Sequence, residues 1–316
     1  MPKIVSIGNT CLDIILRHAQ SLPRWGTEIL FEESEWRLGG QGANFAIAAR
    51  YLGLKPILIS SIGTDDVGTR LRTELASAVS INKPLFTLED SETGFSVTLV
   101  RHDGERSFFT FLGHQNLFTT KPIMRDILST VESNDVVHVS GLYMLPKLRE
   151  ELISLFRRLH SKGARISFDP GWNPNGFSKA SEEDFYRILS YVDFFEPNEE
   201  ELKQLSGETT IQSAIRRIKP RFQGVLAVKL GWKGSKIVEP SDEGRYIPSF
   251  LTRVADTTAA GDVFDAGFIT GIVRNDDLRL CAKMGNAAAS IAISRRGKTS
   301  LRFPKLSEVQ SLIDHG

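Results

Sequence analysis

A three-layer α/β/α fold, with helices on both faces of a mostly parallel sheet and a small β-sheet projecting as a lid, is the class this sequence predicts. Three observations lead there. Six short apolar runs rich in β-branched residues, each ending at a turn residue, alternate with longer helical patterns. Four other segments, 10 to 18, 28 to 38, 93 to 101 and 106 to 112, alternate with the two-residue period of strands. The last third of the chain becomes helical, at about 260–273, 277–293 and 306–314.

The buried strands are expected at "KIVSIG" (3–8), "PILISSIG" (56–63), "DVVHVSG" (135–141), "ARISFDP" (164–170), "YVDFFEPN" (191–198) and "GVLAVKLG" (224–231). Between them the spacing predicts helices over roughly 42–53, 66–78, 146–162, 182–190, 199–206 and 210–219. Strand then helix, repeated, requires right-handed crossovers and a sheet covered on both faces. In such sheets a ligand sits outside the carboxyl ends of the strands, so the residues just after each strand matter most. The alternating segments, with the Asp-Gly of "RHDGER" (101–106) marking a tight hairpin, predict a small antiparallel sheet. No repeat, low-complexity tract or linker interrupts the chain, so residues 1–316 read as one domain whose lid is formed by about 10–38 and 93–112.

Composition narrows the function. With 39 Lys+Arg against 38 Asp+Glu the net charge is only +1, which gives no bulk field for nucleic acid or a membrane surface. A small neutral or locally steered ligand fits better. The two cysteines, Cys11 and Cys281, lie far apart without metal or disulfide spacing, which predicts a reducing compartment. No run approaches the ~18 apolar residues of a membrane span, and "MPKIVSIGN" lacks the plan of a signal peptide, so a cytoplasmic protein is expected.

Two segments carry chemistry. In "VADTTAAGDVFDAGF" (254–268) small residues and two carboxylates crowd the mouth of a helix beginning near Ala260. The unpaired N–H groups of a first helical turn favour an anion, and small residues let it approach the backbone. A carboxylate there, Asp262, competes with the anion unless it points sideways and takes a proton from an incoming hydroxyl, which is the layout of phosphoryl transfer. The plainer reading has Asp256 or Thr258 capping the helix and Asp262 offsetting its dipole. The second segment is "LGGQGANFAIAARYLG" (38–53), in which Gly39, Gly40 and Gly42 expose backbone at a helix start and Asn44 is the polar side chain within it. Read alone, it also suits a tight turn and close helix packing.

Together the two segments resemble the ribokinase-like carbohydrate kinases, the PfkB family, which carry G-G-x-G-A-N-x-A near the start and D-T-x-x-A-G-D near the end. The resemblance spans essentially the whole chain and implies an ATP- and Mg²⁺-dependent kinase acting on a primary hydroxyl of a sugar. It implies that Asp262 is the base and that the backbone of Ala259, Ala260 and Gly261 is the anion hole; many members have glycine at the position of Ala259. "EPNEEEL" is similar to the N-x-x-E element, with Asn198 near the phosphates and Glu201 organising Mg²⁺ through water. The run Glu199–Glu201 also suits a helix start on electrostatic grounds. "KLGWKG", with Lys229, Gly231 and Gly234, sits where the family's T-L-G-x-x-G turn meets the nucleotide, although Lys229 departs from the commoner threonine. Asn286 falls on a late helix that lies near adenine in relatives, or it is a surface cap.

For the acceptor, Asp13 in "GNTCLDI" resembles the aspartate that binds substrate hydroxyls, and Gly40, Gln41 and Asn44 would complete a polyol cradle. Ribokinases usually have Lys where Gln41 stands. "FDPGWNP" is similar to the D-P-N of fructokinases and 2-keto-3-deoxygluconate kinases, without the arginine that often follows; Asp169 there either touches substrate or closes a turn before Pro170. The resemblance further implies a potassium ion held mainly by carbonyls between Asp256, Thr258 and the "SRRGKTS" loop around Gly297. It also implies a homodimer through the lid, where "SFFTFLG" places Phe109 and Phe111 on one side and Phe108 on the other. His18, His102, His114, His138 and His160 show no metal spacing and none is expected to be catalytic, though His138, closing a strand, is the one placed to face the pocket. A Rossmann dinucleotide fingerprint and a Walker G-K-[ST] are both missing. The alternatives to a sugar kinase are a nucleoside kinase of the same fold, with "GLYML" (141–145) lining a base pocket, and a catalytically silent sugar-binding regulator.

Overall fold

The computed structural model describes residues 2–79, 85–88, 91–101, 105–176, 179–297 and 302–316. The amino-terminal half runs β1 (Ile4–Ile7), β2 (Cys11–Ala19), β3 (Ser34–Gly39), α1 (Gln41–Tyr51), β4 (Pro56–Ile62), α2 (Asp66–Ala78), β5 (Leu85–Thr87), β6 (Phe95–Arg101) and β7 (Arg106–Phe111). There follow α3 (Lys121–Asp126), β8 (Val136–Ser140), α4 (Pro146–Ser161), β9 (Arg165–Asp169), α5 (Lys179–Leu189), β10 (Phe194–Phe195), α6 (Glu199–Ser206) and α7 (Ile211–Ile218). The chain ends with β11 (Val225–Lys229), β12 (Ser235–Val238), β13 (Arg245–Ile247), α8 (Ala260–Arg274), α9 (Leu278–Ile293) and α10 (Leu306–His315).

Among the described residues nine strands form the main sheet, in the order β13-β12-β11-β10-β9-β8-β1-β4-β5. From β5 to β11 every pairing is parallel, and β12 and β13 add an antiparallel edge. The strands are apolar on both faces because both are covered. Within β1, Ile4 belongs to the core cluster that includes Phe45 of α1, Phe268 of α8 and Ala287 of α9, whereas Val5 and Ile7 belong to the one that includes Phe156, Leu189, Leu202 and Ile215 of α4 to α7.

The second sheet has the order β3-β2-β6-β7. It corrects the expectation of a wholly antiparallel sheet: β2 and β6 run parallel. These strands lie far apart in sequence and are joined through the main sheet rather than by a hairpin, so nothing forces them to run in opposite directions. Residues 28–33 lie outside β3, and the Asp103-Gly104 turn lies outside the described residues. The short β5, β12 and β13 and the single-turn α3 add to the predicted set.

Cross-strand register assigns the two faces of the small sheet. Asp13 is level with Arg37 and Ser96, and Ser96 with Thr110, so these share one face with Arg17, Arg106 and Phe108. The other face carries Trp36, Phe95, Val97, Phe109 and Phe111. Trp36 and Phe109 there are 51% and 52% exposed, an apolar patch that the described residues leave bare.

Candidate active site

The first motif docks α1 onto the end of β1. A side chain on Gly40, whose φ is +96°, would come within 2.4 Å of the Asn9 carbonyl, and one on Gly42 within 2.6 Å of the Gly8 Cα. Asn9 fixes the junction: its Oδ1 accepts from the Gln41 N–H at 3.0 Å, and its Nδ2 donates to Gln115 Oε1 at 3.0 Å. The Gln41 amide oxygen lies beside Gly141 and Gly171, the left-handed glycines that follow β8 and β9. The motif is thereby held at the carboxyl ends of three adjacent parallel strands.

The second motif meets it there. Helix α8 opens with Ala259 in the left-handed region, φ 65° and ψ 10°, and no side chain caps its first turn. Neither Asp256 nor Thr258 therefore caps it; Asp256 Oδ1 instead accepts from the Thr258 N–H at 2.9 Å. Asp262 is buried, and its Oδ2 accepts from Asn44 Nδ2 at 2.9 Å, across 218 residues of sequence. Burial, reinforced by the nearby Asp169 charge, pushes the Asp262 carboxyl up to about 8, against the Asn44 bond and Lys229. An uncapped turn of N–H groups beside a carboxyl of raised basicity is an anion site next to a proton acceptor.

A second buried cluster lies between these motifs and β11. Lys229 Nζ donates to Asp169 Oδ2 at 2.8 Å and to Asp265 at 3.0 and 3.1 Å. Burial would raise the Asp169 carboxyl, but Lys229 wins and holds it down, while burial and the Asp169 charge leave Asp265 raised. Asp169 Oδ1 also accepts from Gly171 N–H at 3.0 Å, so Asp169 closes its turn and faces Lys229. Lys229 is thus committed to two carboxyl groups, which explains the departure from threonine: the ammonium offsets the buried Asp169 charge.

At the end of β10, Asn198 and Glu201 form a reciprocal cap, Asn198 Oδ1 accepting from Glu201 N–H at 2.9 Å and Glu201 Oε2 from Asn198 N–H at 2.8 Å. Burial and then the Asp169 charge push Glu201 up to about 7. Its helix-start role is real, and Oε1 takes no part in the cap. Asn198 is bridged to Lys229 on the neighbouring strand. Beyond it, Gly231 and Gly234 have φ of 59° and 99°; a side chain on Gly234 would strike the Ile247 carbonyl at 2.1 Å, whereas Gly231 faces open space. Asn286 is no surface cap: it is buried, and its Nδ2 donates to the Ile247 and Pro248 carbonyls at 3.0 and 3.1 Å. His138 is fully buried, stacked on Phe45 at 3.8 Å between ring centroids, with Nδ1 2.6 Å from Ser167 Oγ. It belongs to the sheet interior.

Asp13 lies under the small sheet against Gly39, where a side chain would come within 2.3 Å of its carboxylate, and Cys11 Sγ donates to its Oδ1 at 3.6 Å. Burial raises its pKa, and Arg37 opposes this. Four arginines gather nearby. Arg17 Nη2 and Arg37 Nη1 donate to Asp256 Oδ2 at 3.1 and 2.9 Å, Arg106 Nη1 reaches Thr258 Oγ1 at 3.4 Å, and Arg302 Nη2 donates to the Thr258 carbonyl at 2.5 Å. Both Asp256 oxygens and the Thr258 carbonyl, expected among the potassium ligands, already accept hydrogen bonds here. Gly297 has φ 109°, and Lys298 to Ser300 of its loop lie outside the described residues.

The structure therefore brings Asp13, Gly40, Gln41, Asn44, Asp169, Asn198, Glu201, Lys229, Asp262 and the turn at Ala259–Gly261 to the strand ends. Sequence reasoning missed Asn9, Asp265 and the arginines. Asn9 stands inside the quoted "GNTCLD" and Asp265 one turn beyond Asp262 on the same helix, so position alone signals them; the arginines give no local signal.

The pfkB family carbohydrate kinase pattern matches residues 1–305, and the chain belongs to that family. Among curated relatives, ribokinase of Haemophilus influenzae is 27% identical over 309 residues, covering 94% of this chain and 95% of the relative. The 2-dehydro-3-deoxygluconokinase of the same organism is 29% identical over 251 residues, covering 76% and 79%. The structure of Arabidopsis thaliana ribokinase complexed with ribose and ATP superposes with a TM-score of 0.84 at 23% identity, covering 100% of this chain and 99% of that one, which shows a shared fold. Relatives of differing specificity leave the chain a carbohydrate kinase of unassigned acceptor.

Proposed function

We propose that this kinase transfers the γ-phosphoryl group of ATP to a primary hydroxyl of a sugar or sugar-like small molecule, with Asp262 as the proton acceptor. One observation carries the reading: Asp262 is buried at the uncapped first turn of α8 and hydrogen-bonded to Asn44 of the other motif. Asp13, Gly40, Gln41 and Asn44 bind the acceptor hydroxyls, a carboxylate and amides serving as acceptor and donors for vicinal hydroxyls. The backbone N–H groups of Ala259, Ala260 and Gly261 steady the transferring phosphoryl group, while Asn198, Gly231 and Gly234 lie along the nucleotide. Lys229 acts by orienting Asp169 and Asp265 rather than by touching ATP. Asn286 shapes the nucleotide wall through the carbonyls after β13.

Glu201 and its cap partner Asn198 suit a magnesium ion held through water, since Mg²⁺ keeps several waters and needs few protein carboxylates. When bound, that ion neutralises charge on the phosphates. The chain's own groups bind, orient and deprotonate the acceptor, and the small sheet, acting as a lid on one domain, excludes water. The bare aromatic face of the lid supports a homodimer, tested by light scattering at micromolar concentration; a monomeric active enzyme would contradict it. The two free, buried thiols suit the cytoplasm, and no described helix is long and apolar enough to cross a membrane.

The reading is tested by ADP release across ribose, fructose, 2-keto-3-deoxygluconate, adenosine and inosine. Turnover confined to one sugar or sugar acid is expected. A preference for nucleosides would move the chain to nucleoside kinases, and binding without ADP release would make it a regulator.

A further inference from the structure

The loop that leads into α8 has its Asp256 carboxylate and Thr258 carbonyl oxygens already engaged, by guanidinium groups and a backbone N–H. Potassium replaces its water shell with several carbonyl or carboxylate oxygens whose lone pairs are free. Here Asp256 Oδ2 is shared by Arg17 and Arg37, Asp256 Oδ1 accepts from the Thr258 N–H, and the Thr258 carbonyl accepts from Arg302. The Ile293 carbonyl, at the end of α9, is likewise used by the N–H groups of Ala255 and Asp256, at 2.7 and 3.0 Å.

Charge argues the same way. Arg17, Arg37 and Arg302 are 8%, 3% and 2% exposed, and Arg106 joins them from β7. The carboxylates among them are Asp256 and Glu35, with Asp13 and Glu105 within electrostatic reach. Arg37 Nη2 and Arg302 Nε are buried donors without a hydrogen-bond partner among the described residues, so the cluster is short of acceptors rather than of cations. A further positive ion would compete with guanidinium groups for the Asp256 and Thr258 oxygens and meet like charge at close range. Arginine suits this brace because its planar fork stays charged and bonds several oxygens in fixed directions.

We infer that Arg302, together with Arg37 and Arg17, takes the place of a monovalent cation in this chain, fixing the Asp256–Thr258 loop that sets the α8 anion hole, so that turnover needs no potassium. This rests on the kinase reading, with Arg302 as a positioning residue two links from the reacting atoms: it holds the Thr258 carbonyl, and Thr258 precedes Ala259 at the mouth of α8.

Two measurements on the whole 316-residue chain test it. The first compares kcat in KCl and in choline chloride at equal ionic strength, with Mg²⁺ and ATP saturating. A change below about threefold is expected; activation by potassium of more than about threefold overturns the inference. The second follows melting temperature against the same two salts and needs no turnover. An ion that bound the folded state would raise it in a concentration-dependent way, so superimposable curves are expected and a potassium-specific rise overturns the inference. Absence of ADP release in both salts, for every acceptor, would defeat the kinase reading while the melting curves still decide the cation question. Arg302→Met, where it folds, should lower kcat by about tenfold or more with little change in acceptor KM, and potassium should restore part of the loss. A folded Arg302→Met enzyme with unchanged kcat would overturn the positioning role.

Discussion

Asp256 and Asp262 stand six positions apart on one segment, both buried, and their surroundings drive them in opposite directions. Asp256 meets two guanidinium groups and a backbone N–H; burial would raise its pKa, but Arg37 and Arg302 foremost hold it well below the usual carboxylate range. Asp262 meets one amide and the charge of Asp169, and burial pushes it up to about 8. The first is a permanent anion that locks a loop, the second a group that exchanges its proton near neutrality. Stability follows the same division. The contribution of Asp256 is present above its unfolded pKa near 3.8 and is lost as pH falls through its depressed folded value. That of Asp262, raised in the folded state, is present below pH 3.8 and is lost as pH rises toward about 8. What separates a brace from a base is therefore the company of arginine.

The contrast breaks most severely at Lys229. Lys229→Met leaves Asp169 and Asp265 buried without their shared cation and should destabilise the fold by about 3–5 kcal/mol, read by urea denaturation. A loss under about 1 kcal/mol would mean that the two carboxylates share a proton comfortably without the lysine. Asp13→Ala is expected to cost about ten- to a hundredfold in kcat/KM for the acceptor while leaving ATP affinity nearly unchanged. Equal weakening of both ligands would indicate a folding defect or a misassigned site.

Subtler is Asn44→Ala. The Asn44 amide favours the charged form of Asp262, so its loss should move the rising limb of the kcat/KM–pH profile to higher pH; an unmoved limb would detach Asn44 from the titrating group. Smallest is Ala259→Gly. The left-handed φ of 65° costs alanine about 1–2 kcal/mol, of which glycine's greater unfolded entropy takes back about 0.5–1, so a net gain of about 0.5–1 kcal/mol is expected by denaturation. A net loss would show that the alanine methyl is packed to advantage.

The same comparison explains what could be read from the chain alone. The strands and crossover helices were legible because their apolar runs are continuous and bounded by turn residues, as in "DVVHVSG" and "ARISFDP". The base and its partner were legible because each sits in a local motif with small residues around it. The brace was not. Arg17, Arg37, Arg106 and Arg302 are spread over nearly the whole chain, and each by itself looks like a solvated surface charge; only folding brings them to Asp256. Lys229 and Asp265 are 36 positions apart, so their contact is equally silent in one dimension. The parallel pairing of β2 with β6 was hidden because period-two alternation reports faces, not strand direction.

The central claim is that the raised carboxyl at the α8 mouth accepts the proton. Asp262→Asn keeps the shape and the reach to Asn44 but cannot accept it. A fall in kcat of at least about a hundredfold is expected on the best acceptor. ATP affinity should be nearly unaltered, the melting temperature unchanged or higher, and the pH-dependent rise toward about 8 gone. Retention of more than about a tenth of the wild-type kcat, with that rise intact, would contradict it and assign the proton to another group.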